Sequence, residues 1–196
     1  MNLIPMVIEN TNKGERGYDI YSRLLKDRIL FLGCEVDDMV SNALIAQMLF
    51  LDMDSEEPIH FYINSPGGSV TAGLAIYDMM RTLKCQVHTY CLGQASSMGS
   101  LLLTAGTKGH RYAMPNARIM IHQPSCYGIS GQVTDIEITA KEMSKTKKQL
   151  TDIYVVHTGN EYDKLIGLME RDHYMSAQEA IDLGLVDKVI EPTRIK

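Results

Sequence analysis

A serine within a turn of small residues is the first candidate for chemistry in this sequence. Residues 93–99 read Gly-Gln-Ala-Ser-Ser-Met-Gly and follow a predicted strand, and a helix is predicted to begin near Ser97. On a tight strand-to-helix turn a serine hydroxyl is lifted out of the backbone, and the next backbone N–H points into the same space. Such a serine could attack a carbonyl carbon, whereas the alternative is a residue that caps the helix.

A second turn, at residues 64–68, reads Asn-Ser-Pro-Gly-Gly and also leads from a predicted strand into a predicted helix. Glycines without a Cβ let backbone N–H groups approach a ligand closely and form a concavity that binds anions. In acyl transfer such donors make an oxyanion hole, which stabilises the negative charge of the transition state. The alternative is a plain turn before a helix.

A serine nucleophile needs a base, and the base needs an acid to orient it. His122 ends the predicted strand of Arg-Ile-Met-Ile-His-Gln-Pro, where strands of open α/β sheets deliver residues to a crevice. Asp172, in Glu170-Arg171-Asp172, is one candidate for the acid, although a carboxylate beside an arginine is commonly a solvated ion pair. Sequence spacing alone does not choose among the acids.

Composition excludes several classes of function. The net charge is −5 and the basic residues are scattered, so we expect no nucleic-acid partner. The six histidines form no HxxxH or HExxH pattern, so we expect no metal site. The four cysteines form no CxxC pair, which favours reduced thiols in the cytoplasm; they are Cys34, Cys85, Cys91 and Cys126.

The sequence also gives no sign of a membrane. No segment has the ~18 consecutive apolar residues of a membrane span. The first residues, MNLIPMVIEN, lack the basic and then apolar pattern of a secretion signal. We therefore expect no membrane partner and no export.

Apolar periodicity predicts alternating strands and helices, which is typical of an α/β fold with a mostly parallel sheet. Strands are predicted at Arg28–Leu32, Ile59–Ile63, Gln86–Cys91, His110–Met114, Arg118–Ile121 and Leu185–Ile190. Helices are predicted at Asp37–Met53, Val70–Leu83, from about Ser97, at Val133–His157, at Glu161–Met169 and from a capping box at Ser176 to Gly184. The longest helix has an apolar stripe of Ile136, Ala140, Met143, Leu150 and Ile153.

These segments, taken together and in this order, closely resemble the ClpP family of serine peptidases over nearly the whole chain. The resemblance rests on AQMLFLD, YINSPGGSVTAGLAIYD, GQASSMGSLLLTAG, MPNARIMIHQP and ERDHYMSAQEAIDLGLVDKVI. It implies a ClpP/crotonase-like fold of stacked ββα units with a long protruding helix. It also implies a mobile axial arm at residues 1–17 and a single peptidase domain at residues 18–196.

The resemblance implies a role for each candidate. Ser97, rather than Ser96, matches the family's nucleophile because it directly precedes Met-Gly. His122 matches the general base and Asp172 the acid of a Ser-His-Asp triad. The implied activity is that of a serine endopeptidase that cuts unfolded polypeptides through an acyl-enzyme and uses no cofactor.

Other positions carry implied contacts. The backbone N–H groups of Gly68 and Met98 match the family's oxyanion hole. Tyr62 matches part of an apolar pocket gripped by an ATP-driven AAA+ unfoldase, and the alternative is a tyrosine that faces the core. Glu170 and Arg171 match residues that join two stacked seven-membered rings, formed by this chain alone or mixed with a paralogue.

One segment departs from the family. Residues 125–131, Ser-Cys-Tyr-Gly-Ile-Ser-Gly, stand where the family usually has a Gly-rich stretch that lines the substrate groove and contacts the opposite ring. Tyr127 is the bulkiest residue of this segment and is expected to change the width of the groove.

Two other functions compete with this one. A crotonase-type acyl-CoA enzyme shares the broad fold and explains Gly68, but it leaves the pairing of Ser97 with His122 unexplained. A catalytically silent ring subunit usually lacks one member of the triad, and this chain keeps all three.

Overall fold

The structure, a computed structural model, describes residues 4–12, 14–126 and 128–191 of the chain. The strands are β1 (Met6–Thr11), β2 (Gly14–Asp19), β3 (Ile29–Leu32), β4 (Ile59–Ser65), β5 (Val87–Ser96), β6 (Arg111–Ala113), β7 (Arg118–Ile121), β8 (His173–Ser176) and β9 (Lys188–Val189). The helices are α1 (Ile20–Leu25), α2 (Asp38–Asp54), α3 (Val70–Thr82), α4 (Met98–Thr104), α5 (Val133–Thr158), α6 (Tyr162–Leu168) and α7 (Ala177–Asp182).

A mostly parallel sheet forms the centre of the fold, and the predicted α/β class is confirmed. Five parallel strands lie in the order β3-β4-β5-β6-β9. The first half of β5 pairs with β6, whereas residues 94–96 pair in parallel with β7. β8 then pairs antiparallel with β7. The strand predicted to end at Cys91 therefore continues to Ser96, because β7 provides it with a second ladder of hydrogen bonds.

Alternation along the strands separates a buried face of the sheet from a partly exposed one. In β4, Ile59, Phe61 and Ile63 are buried, and helices cover them. The short helix α4 is buried along its whole length and packs against β5, α3 and α5. A Cβ built at Gly73 of α3 would lie 2.4 Å from the Met98 Cε atom and 3.1 Å from its Cβ, so α3 approaches α4 closely at this glycine.

Helix α5 is 26 residues long and protrudes from the sheet, as the resemblance predicted. Residues 133–142 are exposed, while Leu150, Thr151 and Tyr154 in its second half are buried. The predicted apolar stripe therefore contacts the core only in the second half of the helix. Apolar periodicity predicts which face of a helix is apolar, but it does not predict which element covers that face. Ile136 is exposed in the single chain. Although α5 has the length of a membrane span, neither it nor any other described helix is long and apolar enough to cross a membrane.

The predicted mobile arm folds, in its described part, as an antiparallel hairpin of β1 and β2. Glu9 in β1 forms ion pairs with Arg23 of α1 and with Lys26, whose Nζ lies 3.0 Å from its carboxylate. Residues 1–3 and 13 lie outside the described residues. Since β2 runs through residue 17, the hairpin crosses the predicted boundary between arm and domain; the arm's mobility and that boundary stay predictions.

Candidate active site

Strand β7 brings the predicted nucleophile and the predicted base to one edge of the sheet. Its parallel pairing with β5 sets Met120 opposite Ser96. The Ser97 backbone N–H continues this ladder and donates to the Met120 carbonyl over 2.9 Å. His122 directly follows β7, so its ring lies beside the turn that carries Ser97.

Strand β8 brings the predicted acid to the same place. Its antiparallel pairing with β7 sets Ile121 opposite His173. Because the two strands run in opposite directions, His122, which follows Ile121, lies beside Asp172, which precedes His173. Strand β8 was not predicted from the sequence, because His-Tyr-Met-Ser has no β-branched residue and no apolar alternation, and the strand forms through its partner β7.

The three side chains form an unbroken chain of hydrogen bonds. His122 Nε2 lies 2.9 Å from Ser97 Oγ, and His122 Nδ1 lies 3.0 Å from Asp172 Oδ1. With the Nδ1 proton donated to the carboxylate, Nε2 is free to accept the proton of the serine hydroxyl. The His122 side chain is 24% exposed and that of Asp172 54% exposed. This arrangement can activate a serine for attack on a carbonyl.

The backbone distinguishes the two adjacent serines. Ser97 has φ 54° and ψ −122°, in a region that residues other than glycine rarely occupy. It joins the end of β5 to the first residue of α4, which is the geometry of a nucleophile elbow. Ser96 is the last residue of β5 and only 5% exposed. The strained turn therefore presents Ser97, while Ser96 lies in the interior.

The predicted oxyanion-hole residues lie on two turns that pack directly against each other. A Cβ built at Gly67 would lie 2.6 Å from Ser97 Cβ and 3.0 Å from the Met98 nitrogen. A Cβ at Gly68 would lie 2.3 Å from the Val36 carbonyl oxygen. Both glycines have positive φ, 92° and 149°. Because of this close approach Gly67 is part of the site, although the predicted site residues did not include it. The glycine pair in the sequence was the feature that could have indicated it.

The Met98 N–H is the first of helix α4, and the first N–H groups of a helix have no carbonyl partner within it. It belongs to the same peptide unit as the Ser97 carbonyl. The turn at Gly68 is held in place by Val36, whose N–H donates to Gly67 and whose carbonyl accepts from Ser69, each over 2.8 Å. Two rigid backbone segments thus converge beside the Ser97 hydroxyl.

The segment before Asp172 is anchored to the residue after His122. The Gln123 N–H donates to the Met169 carbonyl over 2.8 Å, and its side chain donates to the Glu170 carbonyl over 3.0 Å. The Glu170 carboxylate lies 3.5 Å from Lys147 of α5. Arg171 is exposed and has no hydrogen-bond or ion-pair partner among the described residues.

Tyr62 lies on the sheet face opposite the core, in what we call the aromatic row: Phe31, Tyr62, Tyr90 and Tyr112. These side chains stack across four neighbouring strands, with ring centroids 5.4, 4.5 and 5.0 Å apart. Burial raises the pKa of Tyr90 to about 12, so its phenol is neutral. The row is a partly exposed apolar surface on the face of the sheet that the core helices leave uncovered.

In the segment of residues 125–131, Cys126 contacts Met143 of α5, with the sulfur atoms 2.9 Å apart. Tyr127, expected to change the groove, lies outside the described residues. Within residues 4–12, 14–126 and 128–191, no group of three or more His, Cys, Asp or Glu side chains could hold a metal ion.

Comparison with known proteins matches this chain to one family over nearly its whole length. Residues 12–193 match the family described as Clp protease. A curated protein of Bdellovibrio bacteriovorus, described as "ATP-dependent Clp protease proteolytic subunit", is 66% identical over 197 residues. That match covers 99% of this chain and 93% of the relative.

Proposed function

This chain belongs to the Clp protease family as a serine-type proteolytic subunit, and on that premise we propose that Ser97, His122 and Asp172 hydrolyse the peptide bonds of unfolded polypeptides. The observation that supports these roles is the hydrogen-bond chain from the carboxylate through the imidazole to the serine hydroxyl, with distances of 3.0 and 2.9 Å.

In the first half of the reaction, the Ser97 Oγ attacks the carbonyl carbon of the scissile peptide as its proton passes to His122 Nε2. The imidazolium then gives this proton to the leaving amine, and the C–N bond breaks. The product is an ester of Ser97, the acyl-enzyme. Asp172 accepts the Nδ1–H throughout and so holds the ring in the required tautomer.

In the second half, His122 takes a proton from a water molecule as the water oxygen attacks the ester carbon. The C–O bond breaks, the proton returns to the Ser97 Oγ, and the carboxylic acid product leaves. In both halves the carbonyl oxygen becomes an oxyanion. The N–H groups of Gly68 and Met98 stabilise it, and one such donor is commonly worth about 3–4 kcal/mol.

For the assembly we propose a ring oligomer of two stacked heptamers that works with an ATP-driven unfoldase of the AAA+ class in the cytoplasm. The name of the 66% identical relative supports the dependence on ATP. We assign unfoldase docking to Tyr62 and the aromatic row, and the axial pore to residues 1–17. Native mass spectrometry distinguishes rings of this chain alone from rings mixed with a paralogue.

A catalytically silent ring subunit is the second candidate that the sequence left open. The complete hydrogen-bond chain at Ser97 argues against it, because a silent subunit has no need of a paired base and acid. The crotonase-type alternative is not supported either, since the matching family and the 66% identical relative are both described as Clp proteases.

The test is labelling of the assembled protein with a fluorophosphonate, followed by peptide mapping and peptidase assays of two variants. The label is expected on Ser97, and Ser97→Ala is expected to abolish cleavage. Ser96→Ala is the matched control and is expected to keep most activity, because the buried Ser96 side chain does not reach the substrate. Label on Ser96, or cleavage that survives in Ser97→Ala, would show that another residue is the nucleophile.

A further inference from the structure

The carbonyl oxygen of Ser97 accepts more hydrogen bonds than a helix start requires. The backbone N–H groups of Ser100 and Leu101 donate to it over 3.0 and 3.1 Å. The Ser100 hydroxyl donates to it over 2.7 Å, and the Tyr154 hydroxyl also lies within reach, at 3.3 Å. A helix start normally supplies only the backbone donors, so the Ser100 hydroxyl is an additional donor at this oxygen, and the Tyr154 hydroxyl lies beside it.

The hydroxyls of Ser100 and Tyr154 are hydrogen-bonded to each other, and the direction of that bond can be assigned. They lie 2.7 Å apart, and because Ser100 gives its single hydroxyl hydrogen to the Ser97 carbonyl, Tyr154 is the donor between them. Both residues are buried, at 0% and 3% exposure, so water does not compete. Burial also raises the pKa of Tyr154, which keeps the phenol protonated and able to donate.

The Ser97 carbonyl is one end of the peptide unit whose other end is the Met98 N–H. A hydrogen bond accepted by the carbonyl of an amide polarises the amide and strengthens its N–H as a donor, by about 10–30% per bond. The added bonds also fix the plane of a peptide that follows a residue at φ 54°. They therefore control both the strength and the direction of the Met98 N–H.

We propose that Tyr154 and Ser100 are positioning residues that hold and polarise the Ser97–Met98 peptide for stabilisation of the oxyanion. This inference rests on the proposed function, in which the Met98 N–H is an oxyanion donor. It assigns a role in catalysis to helix α5, which carries Tyr154 and otherwise contributes no residue to the triad. Sequence reasoning did not find this pair, because its two residues lie 54 positions apart.

The experiment compares Tyr154→Phe and Ser100→Ala with Thr151→Val in the assembled protein. Thr151 is the matched control, because its buried hydroxyl lies on the same helix but donates to the Lys147 carbonyl within α5. Assembly is checked by analytical ultracentrifugation. The measurements are kcat and KM for a fluorogenic peptide, and the inhibition constant of a peptidyl boronate, which forms a tetrahedral adduct with the serine.

We expect kcat to fall about 3- to 10-fold in Tyr154→Phe and in Ser100→Ala, less than the ~10²–10³ for loss of a whole oxyanion donor. KM should stay within about twofold, because the lost interaction acts in the transition state. Boronate binding should weaken in parallel with kcat/KM. Thr151→Val should keep both values.

Unchanged kcat and boronate binding in the two variants would overturn the proposal, as would an equal loss in Thr151→Val or a change confined to KM. If Tyr154→Phe does not assemble, Ser100→Ala decides, since it removes the hydroxyl that contacts the carbonyl directly. The Ser97→Ala variant separates the two proposals. Cleavage that survives in it contradicts the proposed function, whereas its loss alongside unchanged Tyr154→Phe and Ser100→Ala contradicts only the positioning role.

Discussion

At the residue scale, the three side chains of the hydrogen-bond chain differ in how firmly they are held. Ser97 is fixed by a ladder bond at its N–H and by several donors at its carbonyl. Asp172 is 54% exposed, and its carboxylate has one hydrogen-bond partner among the described residues, His122. Solvent weakens the interaction of an exposed carboxylate with its partner. The acid is therefore the member of the triad whose position depends most on its surroundings.

Replacement of Asp172 by asparagine is expected to reduce kcat strongly and leave the fold intact. The amide no longer selects the Nδ1–H tautomer or stabilises the imidazolium, and this loss can cost ~10⁴ in turnover. Peptidase assays check the first part, and circular dichroism with analytical ultracentrifugation checks the second. Asp163→Asn, which changes an exposed acid at the start of α6, is the control. Near-normal turnover in an assembled Asp172→Asn variant would show that another acid orients His122.

At the scale of elements, the site depends on the contact between two strand-to-helix turns. The turn from β4 to α3 carries the glycine pair, and the turn from β5 to α4 carries Ser97. Their backbones approach so closely that a Cβ at Gly67 would meet the Ser96 carbonyl oxygen at 2.7 Å. Backbone cannot yield as a flexible side chain can, so any larger residue there must separate the two turns.

Gly67→Ala is therefore expected to lower kcat/KM by about 100-fold, because a displacement of about 1 Å at a reacting group can cost that much. The control is Gly109→Ala. Gly109 has nearly the same φ, 89° against 92°, but a Cβ there meets nothing within 4 Å. Both variants should lose about 1–3 kcal/mol of stability from backbone strain. Thermal unfolding and peptidase assays measure the two effects, and equal activities in the two variants would disprove the contact argument.

At the scale of the whole molecule, the single chain leaves several surfaces uncovered beside the site. Arg171 has no ion-pair partner among the described residues, and Asp172 next to it is half exposed. The first half of α5 exposes Val133, Ile136 and Ile138. These exposed residues are available for contacts between subunits in the proposed double ring. Symmetry would repeat each contact in every subunit, so that terms of about 0–1 kcal/mol per ion pair add up.

We expect Arg171→Ala to yield particles of half the full mass in analytical ultracentrifugation, with peptidase activity falling in parallel. The proposed reason is an ion pair of Arg171 with an acid such as Glu170 of the facing ring, which also steadies Asp172. In the isolated chain Glu170 lies near Lys147, so this contact would have to rearrange on assembly. Arg81→Ala, in the last turn of α3, is the control. If Arg171→Ala forms the full-size particle and is fully active, Arg171 is not needed to join the rings.

The sequence by itself determined the order and type of most elements and the family of this protein. Apolar periodicity and turn residues are local, so the alternation of strands and helices could be predicted from neighbouring residues. Long motifs such as YINSPGGSVTAGLAIYD identified the family, which in turn implied roles for Ser97, His122 and Asp172. The hairpin of β1 and β2 and strand β8 were not predicted, because GERGYD and HYMS show no apolar alternation. Helix α1 was missed because its six residues lack a capping box such as the one that marks α7.

Only the tertiary structure decided which distant groups meet. His122 and Asp172 are 50 positions apart, and the antiparallel register of β7 with β8 brings them together. Ser100 and Tyr154 meet because α5 packs its second half against the buried α4. The reason is physical: strand register and helix packing follow from the burial of the whole core, in which every element contributes. No local pattern of residues contains that information.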